Sequence, residues 1–150
     1  MDCKLPKNRK GFTLIELLVV IGILTVLLSI VLIAINPAKQ FAQANNTQRR
    51  SDTSAILNAV HQYAADNSGA VPTGITTSAK SIGSGASDAD ICSDLVQEYI
   101  AEMPVDPTAG TWTDCSSYTT GYSIVKSAAN NRITVTAGSA ELGEVISITR

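Results

Sequence analysis

Three groups of residues in this 150-residue chain could do chemistry. The first is the Gly11-Phe12 peptide bond with Glu16 four residues beyond it. Gly11 has no side chain, so a protease can close on the backbone there. Cutting after it would turn the neutral Phe12 amide into an α-amine with a pKa of about 8, mostly cationic at neutral pH. Phe12 and Glu16 lie four apart, one helical turn, so amine and carboxylate can meet within one chain or between neighbours. The second group is the cysteines, Cys3, Cys92 and Cys115. The third is a scatter of carboxylates, Asp88, Asp90, Asp94, Asp106 and Asp114, that could cluster around a cation. His61 is the single histidine, and with Cys92 and Cys115 it makes no zinc spacing. With no nucleophile–base constellation and no Gly-rich phosphate loop, the residues point away from an enzyme.

The element that must carry Glu16 is an apolar run of 24 residues, Phe12 to Ile35, in which Glu16 is the one ionisable side chain. As a helix it reaches roughly 36 Å at about 1.5 Å per residue, enough for a hydrocarbon core of about 30 Å. A carboxylate in lipid is costly, by about 2.5–3.5 kcal/mol at a helix centre and less near the interface, so something other than lipid should await it. Gly22, Thr25 and Ser29 are the small or hydroxylated positions of the run, where helices can approach closely and hydroxyls can bond back to the preceding turn. Ahead of the run, Lys4, Lys7, Arg9 and Lys10 stand against Asp2, a balance of +3. The whole chain is −2, so residues beyond Gly11 carry −5. The basic flank orients the segment with its N-terminus in the cytoplasm. The acidic remainder argues against nucleic-acid binding, with Arg49 and Arg50 the one opening toward it.

Lys10-Gly11-Phe12-Thr13-Leu14-Ile15-Glu16-Leu17 resembles the processing site of type IV prepilins and of the related pseudopilins of type II secretion. The resemblance covers about the first 35 residues and implies cleavage between Gly11 and Phe12 by a membrane peptidase, followed by N-methylation of Phe12. It implies storage in the cytoplasmic membrane as a single-pass protein, then polymerisation through the N-terminal helix into a cell-surface filament. The implied partners are the prepilin peptidase/methyltransferase, an inner-membrane assembly platform with its ATPase, and further copies of the chain itself. In an assembled bundle, the new amine would supply the partner that Glu16 lacks in lipid. Removing the leader removes Cys3, leaving Cys92 and Cys115 as a pair outside the cell, where parity and compartment favour a disulfide. No cofactor is called for. Calcium, bound in the heads of some major pseudopilins, is the one alternative, with Asp106 and Asp114 its candidate ligands, although the EF-hand loop pattern is absent.

Beyond the run, Asn36-Pro37 should end or kink the helix, with Gly22 a second candidate kink. From Ala38 to Ser68 the period is again helical, with Phe41, Ala44, Ile56, Ala59, Val60 and Tyr63 on one face and Asn67-Ser68-Gly69 as its stop. One long helix over 12–68 is expected. Thr76–Ser87, rich in Ser, Gly and Thr, reads as an exposed mobile loop, and Ile91–Ile100 as a short helix after the Ser87–Asp90 capping signal. Met103-Pro104-Val105-Asp106-Pro107 resembles the Pro-x-Asp-Pro segment of major pseudopilins, without their following tryptophan. Tyr118–Val125, Arg132–Ala137 and Glu144–Thr149 read as strands, with a turn at Asn130-Asn131.

The expected fold is therefore α+β: a cleaved leader (1–11), a transmembrane and assembly helix (12–35), its amphipathic continuation (36–68), and a head (69–150) whose antiparallel sheet of three or four strands packs on the helix, the pilin fold. The expected function is a structural subunit of a type IV pilus-like filament. The alternatives are a major pseudopilin of a type II secretion system and a minor or DNA-uptake pilin.

Overall fold

A computed structural model describes residues 11–150, so the basic leader short of Gly11, and Cys3 with it, lie outside the described residues. The architecture is α+β: an apolar helix, a second helix and a small antiparallel sheet. The chain divides into two units, Met1–Gln40 and Phe41–Arg150.

The first unit is built on α1, Leu14–Ile35, whose side chains are all exposed. Its 22 residues reach roughly 33 Å at about 1.5 Å per residue. Among the described residues it is the one helix long and apolar enough to cross a membrane. The hydroxyls of Thr25 and Ser29 donate to the carbonyls of Ile21 and Thr25, so neither faces lipid unpaired. α1 runs without interruption through Gly22. A lone glycine keeps its N–H and clashes with nothing, so it weakens a helix without breaking it. The break comes at Asn36, which adopts a left-handed conformation (φ 47°) and ends α1. Pro37 then opens α2, Pro37–Asp66, at the first-turn position where its missing N–H costs nothing. The helical stretch expected over 12–68 is thus two helices, parted at the Asn36-Pro37 break.

In the second unit α2 buries Ala42, Asn46, Arg49, Thr53, Ile56 and Val60, spaced alternately by four and three residues. Phe41 and Ala44, expected on this face, are exposed. The first half of the buried stripe is polar, so reading only apolar residues misplaced it there, whereas Ile56, Ala59 and Val60 are buried as expected. α2 ends where Ser68 and Gly69 both turn left-handed and the Gly69 amide donates to the Ala64 carbonyl.

The core lies between the second half of α2 and a five-stranded sheet. Its strands are β1 (Lys80–Gly83), β2 (Thr111–Asp114), β3 (Ser117–Lys126), β4 (Ile133–Ala137) and β5 (Ile146–Thr149). β3 is central, with all of its pairings antiparallel: β1 lies along one edge, and β2 and then β4 share the other. β5 pairs β4. Two strands more than the C-terminal pattern showed are present. β1 forms inside the segment expected to be mobile, because Ile82 is wholly buried and its carbonyl accepts the Thr120 hydroxyl. The helix expected over Ile91–Ile100 shrinks to one turn, α3 (Cys92–Leu95). Val96 is extended and Gln97 has φ 76°, while Ile91 and Leu95 still bury their side chains.

Cys92 at the start of α3 is joined to Cys115 in the β2–β3 turn, with Cα atoms 5.3 Å apart. The bridge closes a 23-residue separation, which the chain-entropy relation values at about 3.5 kcal/mol. Cys92→Ser or Cys115→Ser should lower the unfolding free energy by about 3 kcal/mol, read by denaturant titration with and without reductant. An unchanged midpoint in both would show that the loop is not constrained by this bond.

Candidate functional site

Two constellations concentrate the chain's polar chemistry, one in each unit. The first is the start of α1. Gly11 and Phe12 precede the helix and are exposed, and a side chain built on Gly11 would meet nothing within 4 Å. The peptide between them is open to approach. Thr13 is the N-cap, extended at φ −83°, ψ 150°. Its hydroxyl accepts the Glu16 amide (3.3 Å), while its own amide and hydroxyl donate to Glu16 Oε2 at 2.8 and 2.7 Å. This is a reciprocal capping box, with a negative charge placed at the positive end of the helix dipole.

Phe12 therefore stands two residues ahead of Leu14, outside the helix. This corrects the expectation that Phe12 and Glu16 are one helical turn apart. An amine created at Phe12 must find Glu16 by extending the helix backward or by meeting the carboxylate of another copy. The sequence did hold the missed signal, since Thr13-Leu14-Ile15-Glu16 is a Thr-x-x-Glu box ahead of an apolar run.

The second constellation is centred on Arg49, a residue that charge alone had left open to nucleic acid. Its side chain is wholly buried. Nε and Nη2 donate to Asp106 Oδ2 and Oδ1 at 2.7 and 3.1 Å, a bidentate pair. Nη2 also reaches Thr108 Oγ1 at 2.7 Å, and Nη1 reaches Glu141 Oε2 (2.7 Å) and Asn46 Oδ1 (3.0 Å). Asn46 in turn accepts the Glu141 amide at 2.9 Å and donates to the Glu141 carbonyl at 2.8 Å. One guanidinium thus holds α2, the loop after Met103 and the β4–β5 connection together. Arg50 faces outward and pairs with Glu144.

Asp106 is delivered by the backbone of β3. Its amide donates to the Thr120 carbonyl at 2.7 Å, in the gap along the β3 edge between the partners of β2 and β4. Gly121 lines that gap at φ 78°, and a Cβ there would lie 2.7 Å from the Asp106 Cβ. Only glycine suits both the conformation and the space. Burial alone would raise the Asp106 pKa, but hydrogen bonds from Arg49 and from the Thr108 amide and hydroxyl outweigh it and hold the carboxyl at about 2. Beside this pair Asp52 is buried too. It accepts Gln48 Nε2 and the Tyr122 hydroxyl, each at 2.7 Å, and burial raises its pKa.

The two calcium candidates and Asp90 make other contacts in the fold. Asp106 gives both oxygens to Arg49. Asp114 Oδ1 closes a turn by accepting the Ser116 and Ser117 amides, at 2.8 and 3.1 Å. Asp90 Oδ1 accepts the Tyr118 hydroxyl at 2.8 Å. Among the described residues no three His, Cys, Asp or Glu side chains converge as a metal site. His61 is half-buried in α2, with Nε2 unpartnered.

The Arg49 pair carries a pH dependence. A folded pKa of about 2 lies below the usual 3.8, so Asp106 stabilises the fold above about pH 4 and loses that contribution, about 2 kcal/mol, as pH falls toward 2. Arg49→Met leaves the carboxylate buried without a cation. It should cost about 3–5 kcal/mol at pH 7 and reverse the slope, since the buried carboxyl then gains stability on protonation. Denaturant unfolding of the purified chain at pH 7, 4 and 2.5 reads both effects.

A comparison with protein-family models matches residues 6–32 to the prokaryotic N-terminal methylation motif. The matched stretch contains Gly11, Phe12, Thr13 and Glu16 together with all but the last three residues of α1. Comparisons with curated proteins and with solved structures give no match. The chain carries the N-terminal signal of type IV pilin and pseudopilin precursors, on an α+β architecture of pilin-like form.

Proposed function

We propose that this chain is the structural subunit of a type IV pilus-like filament. A prepilin peptidase cuts it between Gly11 and Phe12 and methylates the new terminus, and an assembly platform in the inner membrane, with its ATPase, polymerises it through α1. The observation that carries this reading is α1 itself: a 22-residue helix with no buried position and Glu16 its one ionisable side chain, just after an accessible Gly-Phe bond. A helix bare on every side needs an external solvent, lipid before assembly and sister helices after it. The role is structural rather than catalytic: the buried Arg49–Asp106 pair of the head is engaged in holding α2 and two loops together.

A second reading is favoured by the Pro104–Pro107 segment, which resembles that of major pseudopilins and whose Asp106 anchors the head. In that case the polymer is short and serves secretion. Arg49 and Arg50 do not support nucleic-acid recognition by the head, because Arg49 is buried and Arg50 is paired with Glu144.

Chain recovered from membranes should have an intact mass lacking residues 1–11 and carrying one added methyl. Gly11→Val should retain the leader. Glu16→Gln should be cleaved normally yet yield about a tenth of the filament, as loss of a buried charge partner implies. Full-length mass in wild type, or wild-type filament yield in Glu16→Gln, would refute the reading.

A further inference from the structure

The head distributes its charge in two blocks. Between Ser81 and Val125 there are seven carboxylates and no Lys or Arg. Of the six Lys and Arg from Phe41 onward, Arg49 and Arg50 are consumed by ion pairs with Asp106, Glu141 and Glu144. The sheet register gathers the other four at one end. Lys126 pairs with Ile133, next to Arg132, and Ile133 exchanges two backbone hydrogen bonds with Arg150. Lys80 opens β1 opposite Ile124, two residues from Lys126. None of these four forms an ion pair among the described residues, and Arg132 and Arg150 are exposed.

The opposite pole is a cleft of about 440 Å³ between α2, the segment after Ile100 and β2. Gln48 and Asp52 form one side, Glu102 the rim, and Met103, Pro104 and Trp112 an apolar wall. No cation lines it. Asp52 is 5% exposed, and its oxygens are met only by the neutral donors of Gln48 and Tyr122. A carboxylate beneath an aromatic and aliphatic wall suits a basic side chain with a long apolar stem, the stem lying on the wall and the cation between Glu102, Asp52 and the Trp112 face. Trp112 pairs with Tyr118, and Lys126 lies eight residues farther along the same strand. At about 3.3 Å per residue the two poles are roughly 26 Å apart, too far for one copy to satisfy both.

We propose that the Lys126–Arg132 corner of one copy docks into the Asp52–Glu102–Trp112 cleft of the next, a head-to-tail contact between copies of this chain. The inference rests on the self-assembly reading above and deepens it. Two different, complementary surfaces on one subunit make a heterologous contact, which repeats without closing and leaves one free cleft and one free corner per filament. Charge steers the encounter and sets polarity, since like poles repel.

The test uses filaments from cells expressing the full chain with its processing and assembly machinery. Reversal of the corner (Lys126→Glu with Arg132→Glu) or of the rim (Glu102→Lys) should each lower filament yield about tenfold, and combining them should restore it to within about twofold. Carbodiimide treatment of wild-type filaments grown from mixed 15N-labelled and unlabelled chain should give a Glu102–Lys126 isopeptide between differently labelled copies. That arm needs no variant to fold. Wild-type yield from both reversals, with no such cross-link, overturns this contact and leaves the filament reading intact. Glu102 cross-links running only to a different protein overturn it and assign the cleft to that protein. Absence of any polymer from processed wild-type chain overturns the self-assembly reading itself.

Discussion

The fold of the head depends on one buried ion pair. Taking a guanidinium and a carboxylate out of water costs several kcal/mol each, and such a pair is tolerable only when nearly every donor and acceptor is met. Here Arg49 is bonded through Nε and both terminal nitrogens, and Asp106 accepts from Arg49, Thr108 and Ala109. A lysine could not replace the arginine, because the planar fork is what spans Asp106 on one side and Glu141 on the other. The contribution of the pair is registration. It decides that the Asp106 loop enters the gap along β3 and that the β4–β5 connection folds back over α2. The glycine at 121 and the capped turn at Thr108 are consequences of that choice.

With the head closed in this way, the two units have opposite needs. The head satisfies its own core: Ile56, Leu57 and Val60 of α2 are wholly enclosed by Ile82, Leu95, Tyr122, Ile124 and Val135. α1 buries nothing. Its first turn is nevertheless complete, because Thr13 and Glu16 satisfy each other. The carboxylate that looked unprovided for in lipid already has two donors from its own chain. Any other partner for Glu16 must compete with that box, built on a threonine that sequence spacing had not singled out.

The separated charge poles add a further asymmetry. An acidic cleft and a basic corner at the two ends of β3 are invisible to net charge, since a balance of −5 averages them away. They become visible only when strand register shows that Lys80, Lys126, Arg132 and Arg150, up to 70 positions apart in sequence, share one end of the sheet.

Sequence by itself determined what is local. The length and apolarity of α1, the N-terminal methylation motif, the break at Asn36-Pro37, the left-handed stop at Gly69 and the three C-terminal strands each rest on residues near one another in the chain. Tertiary structure decided whatever needed a distant partner. β1 and β2 exist because β3 offers them an edge, not because Lys80–Gly83 or Thr111–Asp114 favour extension strongly. The Ile91–Ile100 helix stops after one turn because Val96 and Gln97 leave the helix to place Ile100 beside the cleft. Above all, the buried stripe Asn46–Arg49–Asp52 is not legible as core from sequence, because a polar side chain is worth burying only when its partner is present. Those partners, at Asp106, Tyr122 and Glu141, lie 57 to 95 residues away along the chain.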